Sequence, residues 1–147
     1  MFKRILVATD GSALSGKAVD QAIGLARALG AGLFALKVVH LQMEAHWDGE
    51  LIHERSAHAR REAEQTEAAR AVVEAVRTAG AAAAVQVTPL TVKAASVADA
   101  VIDTAQKNAC DLIVMASHGR RGLARVLLGS ETQHVLTHSQ IPVLVLR

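Results

Sequence analysis

The sequence predicts an α/β fold: a single domain, residues 1–147, built on a doubly wound, five-stranded parallel sheet with helices on both faces. Three observations predict it. Short, continuous apolar runs recur along the chain, as in strands that are buried on both faces. Segments with apolar residues at helical spacing separate these runs. The two patterns alternate without a repeat or a linker, and 147 residues suit one domain with a sizeable core.

The first two predicted strands flank a helix with a clear start and end. Ile5–Ala8 is the first strand, and the turn residues Asp10-Gly11-Ser12 after it indicate a helix start. The apolar residues of this helix recur at Val19, Ala22, Ile23, Ala26 and Leu29. Gly30 and Gly32 are predicted to end it, because glycine is favoured just past a helix terminus. Leu33–Val39 is the second strand.

A long second helix and an edge strand follow. The helix is predicted over about Glu50–Ala79 and is expected to end at Gly80. Its predicted buried stripe is Ala59, Ala63, Thr66, Ala69, Val73 and Val76. Val85–Val92 is the third strand, and it contains Pro89. Since proline cannot donate to a strand ladder, this strand is predicted to lie at an edge of the sheet.

The last third of the chain completes the alternation. Ser96–Asp99 has the spacing of a capping box and opens a third helix, whose inward residues are Val97, Val101 and Ala105. Leu112–Ala116 is the fourth strand, a fourth helix begins at Ser130, and Val143–Leu146 is the fifth strand. The strand order 3-2-1-4-5 agrees with the edge position of the proline-bearing strand.

The segment Asp111–Ser130 is the most informative for function. Its strand stops at Ser117-His118-Gly119, and eleven residues later Gly129-Ser130 opens a helix. Ser130-Glu131-Thr132-Gln133 has capping-box spacing, which predicts that the Ser130 side chain caps the Gln133 amide. Free backbone amides beside a positive helix end suit an anion, most often phosphate.

This segment resembles the nucleotide loop of the universal stress protein family, whose pattern is Gly, two residues, Gly, nine residues, Gly, then Ser or Thr. Gly119, Gly129 and Ser130 match it, and Ala116 replaces the first glycine. Ile5–Ser12 resembles the family's first strand with its acidic turn, and Ile141–Arg147 resembles its last strand. The resemblance covers the whole chain and implies the strand order given above.

A ligand is expected beyond the carboxyl ends of the first and fourth strands, because the strand order reverses between them. Asp10 is predicted to accept hydrogen bonds from ribose hydroxyls, and the alternative is a simple turn or capping role. The resemblance implies that the Val38 backbone reads the adenine edge. The full set of predicted binding residues is Ala8, Thr9, Asp10, Val38, Met115, Ala116, His118, Gly119, Arg120, Gly129, Ser130, Glu131 and Thr132.

Two departures from the family pattern bear on a triphosphate ligand. Ala116 adds a methyl group, which is strained if that backbone takes a positive φ and tolerable if it only approaches the ligand. Glu131 places a carboxylate in the first turn of the fourth helix, where it repels a bare phosphate or helps to hold a divalent ion. His118 can donate to a phosphate or act as a base, and without a nearby orienting acid a positioning or structural role is favoured.

For the histidine pair of the fourth helix and for the single cysteine, a structural role is the favoured interpretation. His134 and His138 have metal-compatible spacing, but no HExxH signature surrounds them, so a solvated helix face is the favoured interpretation. Cys110 is the single cysteine, and it is predicted to be an inert thiol in a reducing, cytoplasmic compartment.

These features predict a cytoplasmic regulator that binds adenine nucleotide, specifically ATP with Mg²⁺. One alternative is a slow ATPase or phosphotransferase, although no GxxxxGK[ST] loop is present and no catalytic residue is assigned. Another is a nucleotide-free dimeric interaction module, which Ala116 and Glu131 leave open. The apolar strand Val143–Leu146 at a sheet edge invites pairing with another chain, so a homodimer through this strand is also predicted. A net charge of +2 is too close to neutral to indicate a nucleic-acid partner, and no apolar run is long enough to span a membrane.

Overall fold

A computed structural model describes residues 1–42, 52–118 and 128–147 of the chain. Five strands form one parallel sheet in the order β3-β2-β1-β4-β5, which confirms the predicted topology. The strands are β1 Arg4–Ala8, β2 Gly32–His40, β3 Val87–Ala94, β4 Leu112–Ala116 and β5 Val143–Leu146. The helices are α1 Ala13–Leu29, α2 Ile52–Ala82, α3 Val97–Lys107 and α4 Ser130–His138. Pro89 lies on the edge strand β3, as predicted.

The sheet separates two apolar clusters. Alternate residues of the central strands point to opposite faces, so Ile5 and Val7 pack with α1 and α2, whereas Leu6 packs with α3 and α4. These three side chains are fully buried. Strand β4 is buried along its whole length, which explains why its sequence is continuously apolar.

Two of the predicted helix starts are confirmed at atomic level. The Ser12 side chain caps α1 by accepting from the Ser15 amide at 3.2 Å, and Gly30 ends that helix with a φ of 64°. The Ser96 side chain caps α3 by accepting from the Asp99 amide at 3.2 Å. In both cases the capping residue and its partner are three positions apart, so the sequence alone contains the information.

The predicted capping box at Ser130 is wrong. Gly129 occupies the N-cap position of α4 and offers no side chain, so Ser130 is already the first helical residue. The Ser130 side chain could cap α4 only if the helix began at residue 131, and it begins at Ser130. Its first turn is held by tertiary contacts of Glu131 and Thr132 instead.

Helix α2 also differs from the prediction. It continues through Gly80 to Ala82, and β3 consequently begins at Val87 rather than Val85. Gly80 is present for close packing, because a Cβ atom there would collide with Cγ2 of Val87. Of the predicted buried stripe, only Ala69, Val73 and Val76 are buried, whereas Ala59 and Ala63 are exposed. The stripe therefore packs into the core only from Ala69 onwards.

Candidate functional site

A cleft of about 840 Å³ opens at the carboxyl end of the sheet. The ends of β1, β2 and β4 form its floor, and α2 and the first turn of α4 form walls. Eleven of the predicted binding residues line it, namely Ala8, Thr9, Asp10, Val38, Met115, Ala116, His118, Gly129, Ser130, Glu131 and Thr132. Gly119 and Arg120 lie outside the described residues. We refer to this feature as the carboxyl-end cleft.

Asp10 follows β1 and shapes the turn into α1. Its Oδ1 accepts a hydrogen bond from the Ser12 amide at 2.9 Å, so the turn-forming role weighed as an alternative is observed. The neighbouring Thr9 hydroxyl pairs with the Ser15 hydroxyl at 2.9 Å and accepts from the Gly11 amide at 3.2 Å. The hydrogen bond from Ser12 orients the Asp10 side chain, which lines the cleft.

The backbone of Val38 faces the cleft because β2 is longer than β1. The Leu36 carbonyl accepts from the Thr9 amide at 2.9 Å on the β1 side of the strand. Val38 is two residues further along, so its backbone groups point to the same side, beyond the last paired residue of β1, Ala8. The Val38 carbonyl accepts a hydrogen bond from Nζ of Lys37 at 3.1 Å.

The junction of β4 and α4 is compact and depends on Gly129. The Gly129 amide donates to the Ser117 carbonyl at 2.8 Å. A Cβ atom on Gly129 would lie 3.2 Å from that carbonyl oxygen, which is closer than ordinary van der Waals contact. The buried Thr132 hydroxyl donates to the Ala116 carbonyl at 3.0 Å. These contacts bring the positive end of α4 next to the end of β4.

Ala116 does not strain the chain. It is the last residue of β4, its φ is not positive, and its buried methyl group packs in the cluster on the α1 side of the sheet. The strained alternative for the replaced glycine therefore does not apply. The methyl group matters only if a ligand must approach the backbone at that position more closely than a Cβ atom allows.

Glu131 is used by the fold. Its Oε2 accepts a hydrogen bond from the Ala98 amide at 2.8 Å, in the first turn of α3. The Glu131 carboxylate therefore lies near the N-termini of both α3 and α4, where a negative charge is favourable. Within the described residues no cluster of three or more potential metal ligands occurs.

His118 is positioned by its neighbour. Its Nδ1 pairs with the Ser117 hydroxyl at 3.0 Å, and its Nε2 is buried with no hydrogen-bond partner among the residues that the structure describes. No carboxylate orients the ring in that part of the chain. The Ser117 hydroxyl therefore fixes the orientation of the His118 ring.

Sequence reasoning missed one wall of the cleft. It is a stripe along α2 at helical spacing, and its members are His58, Arg61, Glu62, Gln65, Ala68, Ala69 and Val72. Glu62 is fixed there by Lys93 of β3, whose Nζ lies 2.6 Å from Oε1. The hydrogen bond and charge of Lys93 hold the pKa of the Glu62 carboxyl below its usual range. The period of the stripe was readable in the sequence, but its polar members resembled a solvated face.

The other predicted structural residues lie away from the cleft. His134 pairs with Asp99 of α3 at 3.1 Å, and its ring stacks on His138 with centroids 4.1 Å apart. Cys110 is buried, and this burial raises the pKa of its thiol to about 11. It therefore remains protonated at neutral pH, as expected for an inert thiol. No helix in the described ranges is both long and apolar enough to cross a bilayer.

Comparison with known proteins agrees with this architecture. The sequence model of the universal stress protein family matches residues 1–147. Universal stress protein MJ0531 of Methanocaldococcus jannaschii is 31% identical to the chain over 155 residues, covering 100% of the chain and 83% of that protein. The structure of UspA from Lactobacillus plantarum superimposes with a TM-score of 0.84 at 24% identity, covering 99% of this chain and 97% of that one. A universal stress protein in complex with cAMP superimposes with a TM-score of 0.72 at 25% identity, covering 99% and 97% of the two chains. The chain belongs to the universal stress protein family.

Proposed function

We propose that this chain is a cytoplasmic regulator that binds an adenine nucleotide, ATP with a divalent ion, in the carboxyl-end cleft. One observation carries the proposal: the Asp10 carboxylate, the Val38 backbone and the N-terminus of α4 all open into this one cleft. A carboxylate suits ribose hydroxyls, a strand backbone suits a base edge, and a helix N-terminus suits phosphate. The cAMP complex of a related protein supports the nucleotide class.

Each group has a defined role in the proposal. Asp10 accepts hydrogen bonds from the ribose while Ser12 keeps its side chain oriented. Val38 reads the base, and Ala8 and Met115 line its surroundings. Ser130 and Glu131 present backbone amides of the first turn of α4 to the phosphates.

Calorimetry with ATP, AMP and GTP, with and without Mg²⁺, tests the proposal. ATP is expected to bind most tightly. Gly129→Ala is expected to weaken ATP binding about tenfold, because the added methyl group displaces the β4–α4 junction. Gly24→Ala is the matched control, since a Cβ atom there meets nothing within 4 Å. Absence of heat with every nucleotide at millimolar concentration would favour the nucleotide-free module.

The proposal assigns no efficient catalysis to the cleft. Phosphoryl transfer requires a base or water-positioning residue aligned with the nucleophile, and His118 is the nearest candidate, without an orienting acid in the described residues. ATP turnover is therefore expected to stay well below about 1 s⁻¹, the lower end of ordinary enzyme rates. If turnover is faster than this and His118→Ala abolishes it, the protein is an enzyme and the proposed regulatory role is wrong.

The proposal includes a homodimer through β5. This strand lies at the edge of the sheet, and its Leu144 side chain is 40% exposed. An apolar edge strand pairs readily with another chain, and antiparallel pairing about a two-fold axis closes the assembly.

Leu144→Lys is the appropriate test of this dimer, since Val145 packs towards the α3 side of the sheet and its replacement would damage the monomer. Light scattering over a dilution series is expected to show a dimer that Leu144→Lys dissociates. The control is Ala75→Lys, at an exposed position of α2. A monomeric wild type at tens of micromolar excludes the interface.

A further inference from the structure

Lys37 places a positive charge at the position proposed to read the base. Its Nζ donates to the carbonyl oxygen of Val38 at 3.1 Å, and its partly buried side chain lines the carboxyl-end cleft. Alternation along β2 puts Lys37 on the α1 and α2 side of the sheet, with Leu33 and Ala35. Its side chain must therefore curl over the carboxyl end of the sheet to reach a carbonyl that faces the cleft.

This contact changes the hydrogen-bonding character of the base-reading position. A backbone carbonyl alone offers only an acceptor, which matches the amino group at position 6 of adenine. An ammonium group offers three donors and no acceptor, which matches the oxygen at position 6 of guanine or hypoxanthine. Because Lys37 donates to Val38, one of the two lone pairs of the Val38 carbonyl oxygen is engaged, and an ammonium group lies beside it.

We propose that Lys37 is a specificity-determining residue that reduces the preference of the cleft for adenine over 6-oxopurines. The base and the Lys37 ammonium share the Val38 carbonyl, so an adenine amino group meets both its acceptor and a competing donor. A 6-oxopurine has no amino group at position 6, and its oxygen at that position accepts a hydrogen bond from Lys37. This inference rests on the proposed function, since it concerns the base of a nucleotide bound in the same cleft.

The expected size of the effect follows from one hydrogen bond. Gaining or losing one hydrogen bond from a partly exposed ammonium group changes an equilibrium constant by a factor of about three to ten, because water screens much of the charge. Lys37→Met keeps an unbranched apolar chain and removes the donors. It is therefore expected to tighten ATP binding and to weaken ITP binding, which raises the ratio of Kd for ITP to Kd for ATP by about three- to tenfold.

Calorimetric titration of the full chain with ATP and with ITP measures this ratio in wild type, Lys37→Met and Lys37→Arg. The two ligands carry the same triphosphate, so any general effect of charge on the phosphates cancels in the ratio. Lys37→Arg retains a charged donor and is expected to keep the wild-type ratio within about twofold. A ratio that rises in Lys37→Met and is restored in Lys37→Arg supports the proposal.

The failures of the two proposals are distinguishable. ATP binding with the same ratio in wild type and Lys37→Met overturns the role of Lys37 and leaves the nucleotide site intact. A ratio that changes equally in Lys37→Met and Lys37→Arg also overturns it, since the cause is then packing and not a donor. Absence of binding of both nucleotides to folded wild type overturns the proposed function together with this inference.

Discussion

Replacing Glu131 by alanine is expected to destabilise the fold and to tighten nucleotide binding at the same time. The Glu131 carboxylate accepts from the Ala98 amide at 2.8 Å, so it satisfies one of the amides that α3 leaves without an intrahelical partner. The same charge lies in the first turn of α4, beside the proposed phosphate site. The structural and the ligand-related effects of this charge therefore have opposite signs.

The magnitude follows from two contributions. A hydrogen bond to a charged group contributes about 1.5–3 kcal/mol, and the exposure of Glu131 puts it at the lower end of that range. Its interaction with the helix dipole is worth about 0.3–1 kcal/mol. Glu131→Ala should therefore cost about 2–2.5 kcal/mol, or about 4–10 °C in Tm for a chain of this size. Glu131→Gln keeps the acceptor and loses the charge, so about 0.3–1 kcal/mol is expected.

Urea denaturation measures both variants, and calorimetry with ATP measures the ligand effect. Removing one negative charge near the phosphates is expected to tighten ATP binding about two- to fivefold in either variant, in line with a Coulomb energy of at most about 1 kcal/mol in water. Glu64→Ala is the control, on an exposed position of α2. If Glu131→Ala is as stable as wild type, or Glu131→Gln loses as much as Glu131→Ala, the capping argument is refuted.

Three further predictions concern the fold. Gly80→Ala is expected to lower the free energy of unfolding by about 1–3 kcal/mol in urea denaturation, because the added Cβ atom collides with Val87. Gly24→Ala, the control within α1, is expected to raise the free energy of unfolding by about 0.5–1 kcal/mol. Equal effects of the two substitutions would contradict the packing argument. Burial raises the pKa of Asp111, but hydrogen bonds from the Lys3 and Arg4 amides outweigh it and the pKa lies below its usual range. The folded state therefore keeps this carboxylate ionised at a pH where the unfolded chain takes up a proton, so the free energy of unfolding falls as the pH drops below about 4. In denaturation experiments at pH 2–7, the free energy of unfolding of Asp111→Asn should depend less on pH than that of wild type. Because burial raises the pKa of Cys110 to about 11, iodoacetamide at pH 8 should label it slowly in the native protein and rapidly in urea; fast native labelling would contradict its burial.

Much of the fold was predictable because its signals are local. A strand buried on both faces must be apolar throughout, and a helix cap joins residues only three apart, so β4 and the starts of α1 and α3 were correctly identified. Pro89 on β3 indicated an edge strand, because proline has no backbone N–H to donate to a neighbouring strand.

The location of the site was also predictable, from the strand order. The strand order implied by the family resemblance makes the sheet reverse direction between β1 and β4, so residues that follow these strands had to converge. The residues at the strand ends, Asp10 and Met115, could therefore be assigned to one cleft from the sequence and the family resemblance.

The sequence by itself thus determined the order of elements along the chain and the edge position of β3, and together with the family resemblance it located the cleft. Only the tertiary structure decided what the polar groups around the cleft do. Glu131 accepts a hydrogen bond from an amide 33 residues away, Gly80 is required by a side chain of the following strand, and the Val38 backbone faces the cleft because β2 extends beyond β1. Such contacts depend on the separation and relative height of packed elements, which no local periodicity in the sequence encodes.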